Sequence, residues 1–78
     1  MRTVTIYTTP SCVYCKKAKE FFTQHNVQYS EKNVASDAAA REEMIKKSGQ
    51  LGVPVIDIEG AIVVGYDRGR LAELLGIQ

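Results

Sequence analysis

The sequence predicts an α/β fold: a four-stranded mixed sheet flanked by three helices, in the order β-α-β-α-β-β-α. Three observations carry that expectation. Up to Ser48, runs of β-branched and aromatic residues alternate with segments of helical period. Strand, helix and strand follow one another in a short span before Val34, which favours parallel pairing through a right-handed crossover. Further on, two apolar runs meet at Glu59-Gly60, a two-residue hairpin signal. Residues 1–78 are read as one domain, with helices on both faces of the sheet.

Residues 2–8 are rich in β-branched and aromatic types, with Val4 and Ile6 on one face, and form the first strand. Thr9-Pro10-Ser11 breaks it, and Ser11 is read as a helix cap. From Val13 to about His25, Cys15, Ala18 and Phe22 recur at i, i+3, i+7, with Phe21 widening the stripe and lysines on the other face. Asn26 is the stop signal. Val27 to about Val34 is a second strand, whose polar Ser30-Glu31-Lys32 suits a sheet edge. Ser36 is expected to cap a second helix to Ser48, with Gly49 past its end. Its stripe is Ala40, Met44 and Ile45, and Glu42–Lys46 and Glu43–Lys47 are i, i+4 pairs. Val53–Ile58 and Ala61–Val64 form the hairpin. Asp67 caps a last helix with Leu71, Leu74 and Leu75 facing inward.

Composition narrows the classes of function. A chain with 45% hydrophobic residues and net charge +1 is globular, and without a basic cluster it offers no nucleic-acid surface. No apolar run approaches the ~18 residues of a membrane span, so no membrane partner is expected. The N-terminus runs straight into strand-like alternation without the regions of a secretory signal, and a cytoplasmic location is expected. In that reducing compartment a structural disulfide is disfavoured, which leaves catalysis or metal binding for the two cysteines.

Those cysteines form Cys12-Val13-Tyr14-Cys15, at the junction of the first strand and helix. A C-x-x-C in a βαβ pattern reads as a redox motif of the thioredoxin type. A thiolate, not a thiol, attacks a disulfide, and the free N–H groups and dipole of a helix start favour the anion on Cys12. Almost one turn later Cys15 returns beside it, placed to displace a substrate from a mixed disulfide. Cys12 is thus the attacker and Cys15 the resolver. Lys16 and Lys17 add positive charge behind the motif, as pKa tuning or as a solvated face.

The motif, the order of elements and the length together resemble a glutaredoxin. The resemblance rests on Thr9-Pro10-Ser11-Cys12-Val13-Tyr14-Cys15, Gly52-Val53-Pro54-Val55 and Val64-Gly65-Tyr66-Asp67-Arg68. It implies a thioredoxin-like fold and a disulfide oxidoreductase with no tightly bound cofactor, acting on disulfide substrates as a monomer. Pro54 by itself is compatible with a trans bond at a strand start; the resemblance implies a cis Val53-Pro54 bond beside the attacking cysteine. It also implies that the backbone of Val53 pairs with the substrate like a short antiparallel strand. Tyr14, Val53, Pro54 and Asp67 would line the substrate or glutathione groove.

Several positions depart from the family pattern. Val13 replaces a proline, Thr9 a common lysine, Gly52 a threonine, and Val64 and Arg68 a glycine and an aspartate. Asp67 either accepts a bond from glutathione's amino group or only caps its helix. Arg68 pairs a substrate carboxylate or is solvated. Thr-Thr-Pro-x-Cys-Val-x-Cys with Gly-Tyr also resembles the small redoxins that supply electrons to ribonucleotide reductase and are reduced by a flavoprotein thioredoxin reductase. Glutathione and that reductase are therefore both candidate reductants.

Tyr14 contacts the bound partner or merely covers the helix start. His25 lies ten residues beyond Cys15, roughly three turns along the helix, and is a helix-end residue rather than a base. A metal site would need ligands from a second chain or external thiols, because structural zinc takes four Cys/His ligands. None is assigned.

Overall fold

The computed structural model describes residues 3–77. Four strands, β1 (Val4–Thr8), β2 (Ser30–Asn33), β3 (Val55–Ile58) and β4 (Ala61–Val64), alternate with α1 (Val13–Gln24), α2 (Ala38–Ser48) and α3 (Arg68–Leu75) in the expected order. The sheet runs β2-β1-β3-β4. β1 and β2 are parallel, with Ile6 opposite Glu31, and the other pairs are antiparallel, with Tyr7 opposite Val55 and Val55 opposite Val64.

β1 is central and packed on both faces, so its alternation serves two cores. Val4 and Ile6 join Ile56, Ile58 and Val63 beneath α1 and α3, which contribute Ala18, Phe21, Phe22, Leu71 and Leu75. On the opposite face Tyr7 and Val55 pack with Val34 and with Ala40 and Met44 of α2. The helices therefore cover both faces, as the sequence implies.

Five boundaries and one stripe differ from expectation. The first helix is capped by Cys12, not Ser11: Cys12 has extended backbone and its sulfur accepts the Cys15 N–H. The second is capped by Asp37, not Ser36, because Asn33 first closes a turn, accepting the Ala35 N–H on its side chain at 2.9 Å and the Asp37 N–H on its carbonyl at 3.0 Å. β1 starts at Val4 and not earlier among the described residues, while Arg2 lies outside them. β2 starts at Ser30 rather than Val27, since Val27 is occupied in closing α1. Its N–H reaches the Phe22 carbonyl at 2.8 Å while Asn26, at φ 57°, reaches Thr23 at 3.2 Å, a Schellman stop. β3 starts at Val55 because Pro54 has no N–H to give the ladder. In α2 Ile45 is exposed, so the buried stripe reduces to Ala40 and Met44. Leu74 is half-buried beside the fully inward Leu71 and Leu75.

A polar network stitches the α2 face together. The Tyr7 hydroxyl, on a fully buried ring, donates to Glu43 at 2.5 Å and accepts from Lys47 at 3.0 Å. Lys47 also pairs with Glu43 at 3.2 Å and Asp57 at 2.7 Å, and Lys32 pairs with Glu43 at 3.0 Å. Both ammonium groups lie within 6 Å of the Tyr7 ring centroid, at 5.9 and 5.5 Å. The network joins β1, β2, β3 and α2. Hydrogen bonds from Tyr7, then Lys32 and Lys47, hold the Glu43 carboxyl down at about 2.

That shift has a sign. A carboxylate whose folded pKa lies below its ordinary 4.5 stabilises the protein above that value and loses the contribution as pH falls through the folded value. The urea midpoint is expected to drop between about pH 5 and pH 2. Glu43→Gln is expected to be less stable at pH 7 by on the order of 1 kcal/mol, a figure kept small because Glu43 is partly solvated. The gap between variant and wild type should close toward pH 2. A constant gap across that range would contradict the assignment.

Candidate active site

Strand direction places the candidate residues at one end of the sheet. β1 ends at Thr8, its antiparallel neighbour β3 begins at Val55, and β4 ends at Val64, so these three termini lie together. The starts of α1 and α3 follow from the first and last. Cys12, Tyr14, Cys15, Val53, Pro54 and Asp67 thus share the end of the sheet where β1 stops. His25 does not: it lies at the far end of α1, half-buried against the Phe21 ring at 4.6 Å.

Cys12 is half-exposed at the cap of α1, and its sulfur accepts the Cys15 N–H at 3.0 Å. The Cys12 N–H donates to the Thr9 carbonyl at 3.3 Å, folding Thr9-Pro10-Ser11 into the turn that delivers the thiol there. Cys15, with 1% exposure, is closed off beneath it. Burial, then a hydrogen bond with Cys12, pushes the Cys15 thiol up to about 12, against the Thr9 N–H and Lys19, which work to lower it. The two sulfurs sit in different environments, one open and amide-bonded, the other dry. Both are free thiols.

Around them the floor is the segment before β3. The Val53-Pro54 bond is cis and Pro54 is fully buried. Its carbonyl accepts the Gly65 N–H at 2.8 Å, tying the start of β3 to the end of β4; Gly65 meets that geometry at φ 82°, where a side chain would be strained. Val53 is half-buried on the α2-side core. Three residues earlier, the Gln50 amide grips both main-chain groups of Gly52, donating to its carbonyl at 2.9 Å and accepting its N–H at 2.8 Å. A Cβ on residue 52 would meet the Gln50 Oε1 at 2.7 Å, so glycine here admits the clamp.

Tyr14 projects outward at 58% exposure, with the Lys17 ammonium 5.5 Å from its ring centroid. Asp67 is exposed, and one carboxylate oxygen accepts the Arg70 N–H at 3.1 Å, so the helix cap is formed. Arg68 is exposed beside it. Tyr66 packs edge-on against Phe21, ring centroids 6.4 Å apart, and anchors this loop to α1. Among the described residues no group of three or more His, Cys, Asp or Glu side chains is placed to hold a metal ion.

Two features escaped the sequence. Gln50 carries no motif, and its partner is main chain. The polar Glu31 is not merely a solvated edge residue: it accepts from the buried Thr8 hydroxyl at 2.7 Å and from Lys19 at 3.0 Å. No periodicity marks such a contact, since its members come from three elements.

An open thiol at a helix start, with a buried thiol one turn in, is an arrangement suited to thiol–disulfide exchange. Known proteins agree. The glutaredoxin family model matches residues 4–63. A glutaredoxin-like 8.6 kDa protein of the rubredoxin operon of Clostridium pasteurianum is 44% identical over 72 residues, covering 92% of this chain and 96% of that one. Glutaredoxin 3 of Escherichia coli K12 is 42% identical over 82 residues, covering 96% of this chain and 99% of its own. Among solved structures, a point variant of the thioredoxin-like protein BC3987 superposes with a TM-score of 0.91 at 35% identity over 96% of each chain. A glutaredoxin of Archaeoglobus fulgidus does so with 0.87 at 26% identity, covering 96% of this chain and 87% of its own. The fold is thioredoxin-like. No helix among the described residues is long and apolar enough to cross a membrane.

Proposed function

This chain belongs to the glutaredoxin family, and from that premise we propose that it reduces protein or small-molecule disulfides by a dithiol mechanism, Cys12 attacking and Cys15 resolving. The observation that carries the assignment is the asymmetry of the pair. Cys12 is reachable and its sulfur accepts a main-chain N–H at 3.0 Å, while Cys15 is 1% exposed. Only the first sulfur can meet an incoming disulfide.

The Cys12 thiolate attacks one sulfur of the substrate R–S–S–R′. A Cys12–S–S–R bond forms, and R′ leaves as a thiolate that takes up a proton. Cys15 then gives up its proton and attacks the Cys12 sulfur, forming the Cys12–Cys15 disulfide and releasing R as the second thiol. Two electrons have passed to the substrate, and an external dithiol, or two monothiols, returns them. The main chain of Val53 pairs with the substrate beside the buried Pro54, and the Tyr14 ring covers it. No tightly bound cofactor takes part; the protein works as a cytoplasmic monomer with glutathione as the reductant.

A second reading has its own support. Val13, Tyr14, Leu51 and Val64, at 63, 58, 64 and 53% exposure, all lie toward the site end of the fold. Exposed apolar side chains there favour a protein partner, such as a flavoprotein thioredoxin reductase. Asp67 already serves as a cap, which is all that this reading asks of it.

A coupled NADPH-oxidation assay with a small disulfide substrate tests both, one arm with glutathione and glutathione reductase, the other with thioredoxin reductase alone. Turnover in the first arm only makes the protein glutathione-dependent. Asp67→Ala is then expected to raise the KM for glutathione by about 10- to 150-fold, the worth of one charge-assisted hydrogen bond. Turnover in the second arm only selects the reductase and leaves Asp67 as a cap. Silence in both arms removes the proposal.

A further inference from the structure

Resolution requires a thiol in a dry site to ionise, and the charge of Lys19 favours that. Lys19 lies one turn below Cys15 on the same side of α1, at i+4. Its ammonium is fixed by Glu31 at 3.0 Å, and the same carboxylate oxygen accepts the hydroxyl of the buried Thr8 at 2.7 Å. Glu31 is opposite Ile6 in the parallel register, so it faces the α1 side, as does Thr8 two residues beyond Ile6. Thr8 is followed by Thr9, whose N–H bonds the Cys15 sulfur. The network thus ties together α1, β2 and the end of β1 around the second thiol.

Resting on the dithiol reading above, we propose that Lys19, held by Glu31 and Thr8, is a positioning residue that stabilises the Cys15 thiolate as it resolves the mixed disulfide. The polar and charged groups around Cys15 are few. Cys12 and Lys19 come from α1, the Thr9 N–H from the end of β1, and Glu31 from β2 stands behind Lys19. The inner face that α1 packs on is apolar, with Ile6, Ile56 and Leu71 from β1, β3 and α3. In the mixed disulfide Cys12 carries no charge, and the Lys19 ammonium, set one helical turn on, favours the developing anion.

Glu31 is not the base in this step. Bonds from Thr8 and then Lys19 hold its carboxyl below the ordinary carboxylate range, so it gains a proton reluctantly. The Cys15 proton passes to water, and the departing substrate thiolate takes one up. Nor is the pair mainly a staple: with side-chain exposures of 30 and 40% it is largely solvated, and such pairs add little to stability.

The test follows the two steps separately by rapid-quench trapping. In a Cys15→Ser background the rate of mixed-disulfide formation on Cys12 is measured with and without Lys19→Met. In the full dithiol chain the resolution rate is measured for wild type, Lys19→Met and Lys19→Arg at low and high salt. Each unit by which the Cys15 pKa rises cuts the thiolate fraction tenfold but raises its nucleophilicity, for a net slowing of about threefold. Lys19→Met is therefore expected to slow resolution about threefold or more at pH 7 and low salt, leaving the first step unchanged. 1 M salt should narrow the loss, and Lys19→Arg should restore the rate. Resolution at the wild-type rate, or a loss that 1 M salt leaves unchanged and Lys19→Arg does not rescue, would overturn the proposal. Failure of Cys12 to form any mixed disulfide would instead overturn the dithiol reading, and this inference with it.

Discussion

Cys12→Ser is expected to bring disulfide turnover down to the uncatalysed background, a loss of about 10³-fold or more, as when any sole nucleophile is removed. Cys15→Ser is expected to behave differently. The first exchange should proceed, because Cys12 keeps its place at the cap and the Cys15 N–H that bonds it is main chain, retained by any residue. The second should not, since residue 15 then has no thiol to displace the substrate. Mass spectrometry of the Cys15→Ser protein after reaction with a small disulfide should show one substrate half per chain, removable by dithiothreitol. Equal, partial loss in both variants would mean that the cysteines are interchangeable. Their burial argues otherwise: Cys15 is 1% exposed and its thiol lies up at about 12, so it cannot stand in for Cys12 as the attacker. Continued turnover by Cys12→Ser would end the assignment.

How much of this was legible in the sequence depends on how local the signal is. The Cys12–Cys15 spacing, the 3.6-residue stripe of Cys15, Ala18 and Phe22, and the Glu59-Gly60 hairpin are encoded by neighbours along the chain, and each is found where expected. The side of the sheet each helix covers also followed, because a central strand with apolar residues on both faces needs partners on both. The caps failed by one residue for a shared reason. Ser11 and Ser36 are good caps in isolation, but adjacent turns take up the chain there, and Cys12 and Asp37 are the residues left at the helix start. A sulfur accepting the cap bond is outside the usual preference for oxygen side chains, yet it puts the thiol among free N–H groups.

What was not legible is built from residues far apart in sequence. Tyr7 reads as one more aromatic of a strand, and nothing local says that its hydroxyl meets Glu43, 36 residues on, and Lys47, 40 residues on. Glu31 and Lys19 read as surface charge for the same reason. The Val53-Pro54 bond is intermediate: the dipeptide permits a cis bond and the family resemblance implied it, as found. Gln50 was invisible, because an amide that grips main chain imposes no residue type on its partner except the glycine that leaves it room.

The largest effect on stability should come from Phe22→Ala. The ring is fully buried between α1 and the sheet, at 5.4 Å from Tyr29 and 6.1 Å from Phe21. Truncation removes its transfer free energy and leaves a cavity that a close-packed interior fills poorly, a cost of about 3–5 kcal/mol. A chain of this length has a total stability of roughly 4–12 kcal/mol, so the variant should be marginally folded at 25 °C and unfolded at 37 °C if the wild type is near the lower end. Phe22→Leu, closer in volume, should cost only about 1–1.5 kcal/mol. Urea titration followed by circular dichroism reads both, and a loss below about 1 kcal/mol for the alanine variant would mean that Phe22 is not the keystone its burial implies. The fraction still folded should keep its redox chemistry, because Phe22 stands two turns from Cys15 and touches neither sulfur directly; what it holds is the seat of α1 on the sheet. Activity lost in proportion to unfolded protein is therefore the expected result. A fully folded but inactive Phe22→Ala protein would show instead that the cap of α1, and with it Cys12, shifts when the far end of the helix loses its anchor.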